Sequence, residues 1–205
     1  MRYPLATVDK FQGFPLDFLS ERDIQASLFA ELRQLTPNLR YPYDANGENS
    51  RFGFSEPIYQ RPFFVHAVTT EYYLYNEKNK ARFDVAVLSG KRDNKAAIWR
   101  QPCRVGIEIK LWQPGYRDCR FEADVKKLQN YQEYLRDRFK EEERKFTGVA
   151  MVFVHPNIEK KLVDNYLDPL EEFASAAYPE DCVALHWVTE KHHRWKQIPP
   201  PRIQP

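Results

Sequence analysis

The sequence predicts an α/β protein with one central mixed sheet flanked by helices. Two segments, about 21–35 and 121–139, carry apolar residues at helical spacing. Between them lie short segments rich in β-branched and aromatic residues, which are typical of strands. The apolar run 147–154 (TGVAMVFV) has the length and composition of an interior strand. Helices before and after such strands are expected to cover a single sheet.

Length and composition restrict the class of protein further. The chain has 205 residues and a mass of 24.4 kDa, which suits one domain. Its 14 Phe, 12 Tyr and 4 Trp supply a packed core and exclude a disordered chain. The 3 cysteines have no CxxC spacing, which argues against a disulfide framework or a zinc ribbon. No apolar run reaches the roughly 18 to 20 residues of a membrane span, so we expect a cytoplasmic protein with no membrane partner.

The pattern divides the chain into three parts. Residues 1–19 lack clear periodicity and are interpreted as an N-terminal arm, residues 20–188 as the domain, and residues 189–205 as a basic, proline-rich C-terminal tail. The tail ends in IPPPRIQP, which favours extended or disordered chain.

The first helix has clear boundaries in the sequence. Ser20 can cap it, with Asp23 three residues later, and Pro37 stops it. The segment 36–60 is rich in Pro, Gly and Asn and predicts a long loop. A second helix is predicted at 121–139 and a third at 158–177. The predicted strands fall at about 62–69, 71–76, 81–88, 104–112, 147–154 and 182–188.

Two neighbouring strands carry charged residues in an apolar setting. Side chains alternate along a strand, so Glu108 and Lys110 share one face of segment 104–112. Asp84 is the single acid of the preceding strand, and an acid in an apolar strand needs a partner. The spacing acid-x-lysine occurs five times in the chain, but only the Glu108 instance lies in an apolar strand.

The first helix places another acid on its apolar side. At 100° per residue, Ile24, Leu28, Leu32 and Leu35 form a stripe, and Glu21 lies about 25° from its centre. Glu21 is therefore expected to point inward with the leucines. The alternative is a first-turn acid that only stabilises the helix dipole.

Taken in chain order, these features resemble the PD-(D/E)XK nuclease superfamily over about residues 20–155. The resemblance is carried by Glu21 near a helix start, Asp84 in the strand RFDVAV, and Glu108-Ile109-Lys110 in the next strand. It implies a restriction-endonuclease-like core with the order α-β-β-β-α-β. The segment 124–131 (DVKKLQNY) is similar to the Gln-Leu-x-x-Tyr element of RecB-like members. Lys127 stands where those members have Gln, and Phe83 replaces the proline of the family name.

Phosphodiester hydrolysis explains these residue types. A divalent cation lowers the pKa of bound water, and Mg²⁺ prefers oxygen ligands. Asp84, Glu108 and the backbone carbonyl of Ile109 are therefore predicted to hold one Mg²⁺ or Mn²⁺, with Glu21 helping to hold a second. Lys110 would orient the attacking water or stabilise the developing charge. The alternative is a buried ion cluster of Asp84, Glu108 and Lys110 with no metal.

The predicted partner is DNA. Between Lys91 and Lys127 there are ten Lys or Arg against five Asp or Glu. A solvated face is the alternative for this run. On the second helix, cations alternate with aromatic rings along one edge, and such a row can contact phosphates and stack on bases. Ordinary packing of amphipathic side chains at a helix border is the alternative. One edge of the second helix carries the candidate nucleic-acid-binding residues Arg120, Lys127 and Tyr131, with Tyr134 and Arg138.

The sequence thus predicts a metal-dependent nuclease that hydrolyses DNA, with endonuclease action favoured. A nucleic-acid-binding module that keeps the fold without catalysis, and a protein-interaction domain, are the alternatives. Many enzymes of this fold act as dimers, so a homodimer or a subunit of a larger complex is expected. Segments 36–60 and 189–205 are where specificity for substrate or partner is expected.

Overall fold

A computed structural model describes residues 6–38, 40–43, 63–73, 82–88, 103–116, 121–138, 145–167 and 183–198. The helices are α1 (Ala6–Gly13), α2 (Glu21–Leu35), α3 (Glu122–Arg138) and α4 (Lys160–Leu167), with a 3₁₀ turn at Pro15–Asp17. The strands are β1 (Arg40–Tyr43), β2 (Phe63–His66), β3 (Val68–Tyr73), β4 (Arg82–Leu88), β5 (Cys103–Trp112), β6 (Thr147–Val154), β7 (Val183–Val188) and β8 (His193–Ile198).

Six of the described strands form one open mixed sheet. Their order is β3-β4-β5-β6-β7-β8. Strands β3, β4 and β5 pair antiparallel, β5, β6 and β7 pair parallel, and β8 is antiparallel to β7. Strands β1 and β2 form a separate antiparallel pair. The predicted α/β class, with one central mixed sheet flanked by helices, is confirmed.

Helices cover both faces of this sheet. Ile107 and Ile109 of β5 pack with α1 and α2 on one face. Trp112 of the same strand packs with α3 and α4 on the other. The alternation predicted for β5 is therefore observed, since neighbouring side chains of a strand point to opposite faces. Gly106 fits because a Cβ there would lie 2.8 Å from the ring of Phe83 and 2.9 Å from that of Phe146.

The first helix of the domain starts where the sequence indicates. Asp23 Oδ2 accepts the Ser20 N–H at 2.8 Å, and α2 begins at Glu21. Ile24 and Leu28 are fully buried, as their spacing predicts. Leu35, the last residue of the helix, is 56% exposed, so the predicted apolar stripe is not buried over its whole length.

The prediction of an N-terminal arm over residues 1–19 is wrong for its described part. Residues 6–13 form α1, and the side chains of Val8, Phe11 and Phe18 are buried under the sheet. Glu31 of α2 fixes the start of α1: its carboxylate accepts the N–H groups of Ala6 and Thr7 at 2.8 and 2.9 Å. A cap supplied from another helix leaves little local signal in the sequence of α1 itself.

The C-terminal tail also differs from its prediction. Residues 193–198 form β8, which pairs with the whole of β7, so the domain continues beyond residue 188. Of the predicted loop 36–60, residues 40–43 form β1. Residues 44–60 and 199–205 lie outside the described residues, as does the predicted helical segment 168–177.

Candidate active site

The candidate site forms where β4 and β5 separate. Their antiparallel pairing extends to Val85 opposite Ile107 and does not continue to Asp84. Instead, the Asp84 carboxylate accepts the Ile109 N–H at 2.7 Å. In a strand the carbonyl of a residue points to the same side as its N–H, so the Ile109 carbonyl also faces Asp84. The structure therefore brings Asp84 and the Ile109 backbone together, as the sequence predicts.

Glu21 approaches the same edge of β5 from α2. Its Oε1 accepts the Leu111 N–H at 3.3 Å, two residues beyond Ile109. Glu21 also lies 3.8 Å from Lys110 Nζ. These contacts turn the Glu21 carboxylate toward β5, while 46% of its side chain remains exposed. Two acids from different elements thus take the places of strand partners along the open edge of β5.

Glu108 is the most buried acid of the site, with 3% of its surface exposed. Its Oε2 accepts a hydrogen bond from Lys127 Nζ at 2.5 Å. Within the described residues, its Oε1 has no hydrogen-bond partner. Burial and the negative charge of Asp84 raise the pKa of Glu108 to about 9, although Lys127 opposes the shift. Burial likewise raises the pKa of Asp84.

Lys110 lies on the same face of β5 as Glu108 but pairs with other acids. Its Nζ is 3.4 Å from Asp124 of α3 and 3.8 Å from Glu21. Burial lowers the pKa of Lys110, but the carboxylates of Asp124 and Glu21 outweigh it and the pKa is raised. Lys110 therefore remains a cation, with 31% of its side chain exposed to solvent.

The structure corrects the prediction for Lys127. Rather than facing outward to nucleic acid, its Nζ binds Glu108 and the Arg82 carbonyl, the latter at 2.9 Å. It also lies 3.6 Å from Asp124, one turn earlier on α3. These contacts with β4, β5 and α3 place Lys127 in the carboxylate cluster.

Tyr131, which is also predicted to bind nucleic acid, lies in the core instead. Its ring is 7% exposed and packs edge-on against Phe83 and Phe146. Its hydroxyl accepts the Cys103 N–H at 2.9 Å. A ring held in the core cannot stack on a base, so the packing alternative holds for Tyr131. Arg120 lies outside the described residues.

Sequence reasoning missed three polar residues around the site. Asp124 joins the two lysines, and its place one turn before Lys127 on α3 is the signal that could have found it. Gln25, one turn after Glu21, donates to the Asp84 carbonyl at 2.6 Å. It also donates to Glu71 at 3.3 Å. Glu71 adopts a left-handed φ of 50°, which few non-glycine residues do.

The charges of the cluster do not balance. Glu21, Asp84, Glu108 and Asp124 supply four carboxylates against the two ammonium groups of Lys110 and Lys127, a formal charge of −2 when all are ionised. Such a deficit in a partly buried site opposes ionisation of the acids, which agrees with the raised pKa of Glu108.

The fit of these residues to a divalent cation rests on a small number of oxygen ligands. In the part of the chain that the structure describes, no three His, Cys, Asp or Glu side chains are grouped closely enough to form a metal site. Mg²⁺, however, is commonly held by one or two carboxylates and keeps several waters. The unpartnered Glu108 Oε1 and the neighbouring Asp84 carboxylate are ligands of that kind. The net negative charge of the cluster favours a bound cation.

Comparison of the chain with protein-family models, with curated proteins and with solved structures found no match. Among the described residues, no helix is both long and apolar enough to cross a membrane. The functional interpretation therefore depends on the site itself.

Proposed function

We propose that the protein is a divalent-metal-dependent nuclease that hydrolyses phosphodiester bonds in DNA. The observation that carries the proposal is the meeting of Glu21, Asp84, Glu108 and Lys110, from three elements, where β4 and β5 separate. Buried acids with raised pKa values and a specific charge partner are typical of functional sites.

The order of elements around the site supports the same proposal. After α2 the chain forms the separate β1–β2 pair and then β3, β4, β5, α3 and β6. With that pair set aside, α2 and the elements of the main sheet follow the α-β-β-β-α-β order that the PD-(D/E)XK resemblance implies. The acids occupy the expected positions: the start of α2, β4 and the middle of β5. We infer a restriction-endonuclease-like core from this agreement.

Asp84, Glu108 and the Ile109 carbonyl are the groups that would hold Mg²⁺ or Mn²⁺, with Glu21 as an accessory ligand. The ion would supply a bound water of lowered pKa and screen the charge that develops on the phosphate. Ionised Glu108 is unfavourable in the metal-free protein, so a nearby cation favours its carboxylate form.

The two lysines have different roles in this proposal. Lys110 is the more exposed of the two, at 31% against 23% for Lys127, and can reach a phosphate oxygen or an attacking water. Lys127 holds the Glu108 carboxylate and the Arg82 carbonyl, so it acts by positioning Glu108. An ammonium group beside the reacting phosphate stabilises the charge of the transition state.

The test is cleavage of supercoiled plasmid and of end-labelled linear DNA with Mg²⁺, Mn²⁺ or EDTA. We expect metal-dependent cleavage that falls about 10²-fold or more in Asp84→Asn, Glu108→Gln and Lys110→Met. Lys126→Met changes an exposed neighbour on α3 and serves as the control. Activity that persists in all three site variants would refute the proposal.

The same proteins distinguish the non-catalytic alternative. A binding module predicts salt-dependent DNA binding without cleavage, unchanged by Asp84→Asn. Fluorescence anisotropy with a labelled duplex, at several salt concentrations, measures that binding directly.

A further inference from the structure

A second polar cavity lies away from the carboxylate cluster. It has a volume of about 360 Å³ and is bounded by the ends of β6 and β7, by α4, and by the turn between β7 and β8. The turn is closed by the Thr189 N–H, which donates to the His192 carbonyl at 2.8 Å. Ligand pockets commonly lie beyond the carboxyl ends of parallel strands and have volumes of about 300 to 1,000 Å³.

The cavity combines an apolar floor with a charged rim. Val154, Val163 and Trp187 form much of the floor and belong to the core beneath α3. The rim carries three cations against two acids, and within the described residues none of the cations forms an ion pair with an acid. The rim cations are Lys160, Lys191 and Arg194, and the rim acids are Asp164 and Glu190.

An apolar floor with unpaired cations at its edge suits a particular ligand chemistry. A flat ring can lie on the floor while an anionic group meets the cations. A nucleotide has both parts, a base with two apolar faces and a phosphate. Base contact with apolar or aromatic side chains, combined with cations along the backbone, is the usual way to bind single strands.

The cavity lies on the face of the sheet to which Glu108 and Lys110 of the carboxylate cluster point. The His155 N–H at its edge donates to the Trp112 carbonyl at 3.0 Å, two residues beyond Lys110 on β5. Strands β6 and β7 lie one and two positions from β5, or about 5 to 10 Å away. The cavity edge is also two to three residues, or about 7 to 10 Å, further along β5 than Lys110 and Ile109, so a strand that reaches it from the cluster spans several nucleotides.

We propose that this cavity binds one nucleotide of the DNA strand whose phosphate is cleaved at the carboxylate cluster. The base lies on the apolar floor, and the phosphate meets Lys191 and Arg194. The ligand's identity as part of a DNA strand rests on the proposed function. The predicted tail 189–205 contributes to specificity in this way, through the described residues of its first part.

Isothermal titration calorimetry in EDTA at low salt tests the assignment. The probes are pentathymidylate, thymidine 5′-monophosphate, thymidine and inorganic phosphate. We expect pentathymidylate to bind best and the monophosphate to bind better than thymidine or phosphate. The double variant Lys191→Gln, Arg194→Gln is expected to weaken binding of the first two by about tenfold or more. Lys161→Gln, an exposed neighbour on α4 outside the cavity, is the matched control.

Several outcomes would overturn the assignment. Inorganic phosphate that binds as tightly as the monophosphate removes the role of the floor. A mononucleotide that binds as tightly as pentathymidylate identifies a free nucleotide as the ligand. Unchanged binding in the double variant places the strand outside the cavity.

The assignment of the cavity and the proposed nuclease activity can be refuted independently. If the wild-type protein cleaves DNA but shows no cavity-dependent binding, the cavity assignment falls and the nuclease stands. If it binds the nucleotide through Lys191 and Arg194 but cleaves nothing, the nuclease falls and the cavity remains a nucleotide site.

Discussion

Replacing Glu108 by glutamine should make the metal-free protein more stable than the wild type, and the difference should grow as the pH rises. In the folded protein the pKa of Glu108 is raised from 4.5 to about 9, because the carboxyl is buried beside Asp84. Between these two values the folded state keeps a proton that the unfolded state has released. The free energy of unfolding must therefore fall with rising pH, by at most about 1.4 kcal/mol per pH unit for this one group.

The magnitude follows from the same shift. From pH 4.5 to pH 8 the Glu108 shift alone would lower the free energy of unfolding of the wild type by about 5 kcal/mol. Entry of water into the open site reduces this loss. We therefore expect Glu108→Gln, which stays neutral, to raise the unfolding free energy at pH 8 by about 2 to 5 kcal/mol in EDTA. Near pH 4 the variant and the wild type should be similarly stable, because both side chains are then neutral.

Urea unfolding followed by circular dichroism, at intervals from pH 4 to pH 9, measures the effect. Glu133→Gln, an exposed acid on α3, is the control and should change stability by less than about 0.5 kcal/mol. Mg²⁺ should stabilise the wild type more at pH 8 than at pH 5, and should stabilise Glu108→Gln little. Parallel pH profiles for wild type and Glu108→Gln would refute the reasoning.

Three further changes test the fold around the site. Gly106→Ala should lower the free energy of unfolding by about 1 to 3 kcal/mol, because the new Cβ would lie within 3 Å of two phenylalanine rings. Gly13→Ala has open space around its Cβ and should be tolerated, and thermal unfolding compares the two variants. Glu31→Gln should lower the free energy of unfolding by about 1 kcal/mol and speed amide hydrogen exchange in α1. Unchanged exchange in α1 would contradict the role of Glu31 as its cap. Tyr131→Phe should lower the free energy of unfolding by about 1 kcal/mol, because its hydroxyl no longer accepts the Cys103 N–H, while DNA affinity stays the same. Weaker DNA binding by a folded variant would support direct contact of Tyr131 with DNA.

The parts of the site that the sequence predicts are those set by local periodicity. Alternation along β5 puts Glu108 and Lys110 on one face, and the helical wheel turns Glu21 inward. Lys127 could not be assigned in this way. A wheel places it at the edge of an apolar stripe, but only the packing of α3 over β5 brings it to Glu108.

The errors at the two ends of the domain have a related cause. Helix α1 is short, and contacts with residues far along the chain hold it, including the edge-on contact of Phe11 with Phe153. Strand β8 has a polar sequence because it lies at the edge of the sheet, where one neighbour suffices. Neither feature is visible to a reading of neighbouring residues, since the stabilising partner is distant in sequence.

The contact between Phe11 and Phe153 also affects how the chain is made. The two rings, 5.0 Å apart between centroids, are separated by about 140 residues of sequence. At a synthesis rate of about 5 to 20 residues per second, the first ring leaves the ribosome some 7 to 30 seconds before the second. During that interval α1 has no β6 to pack against. The residues of α1 are thus translated well before the strand that they pack against, and the nascent chain must keep the Phe11 side chain away from other proteins until then.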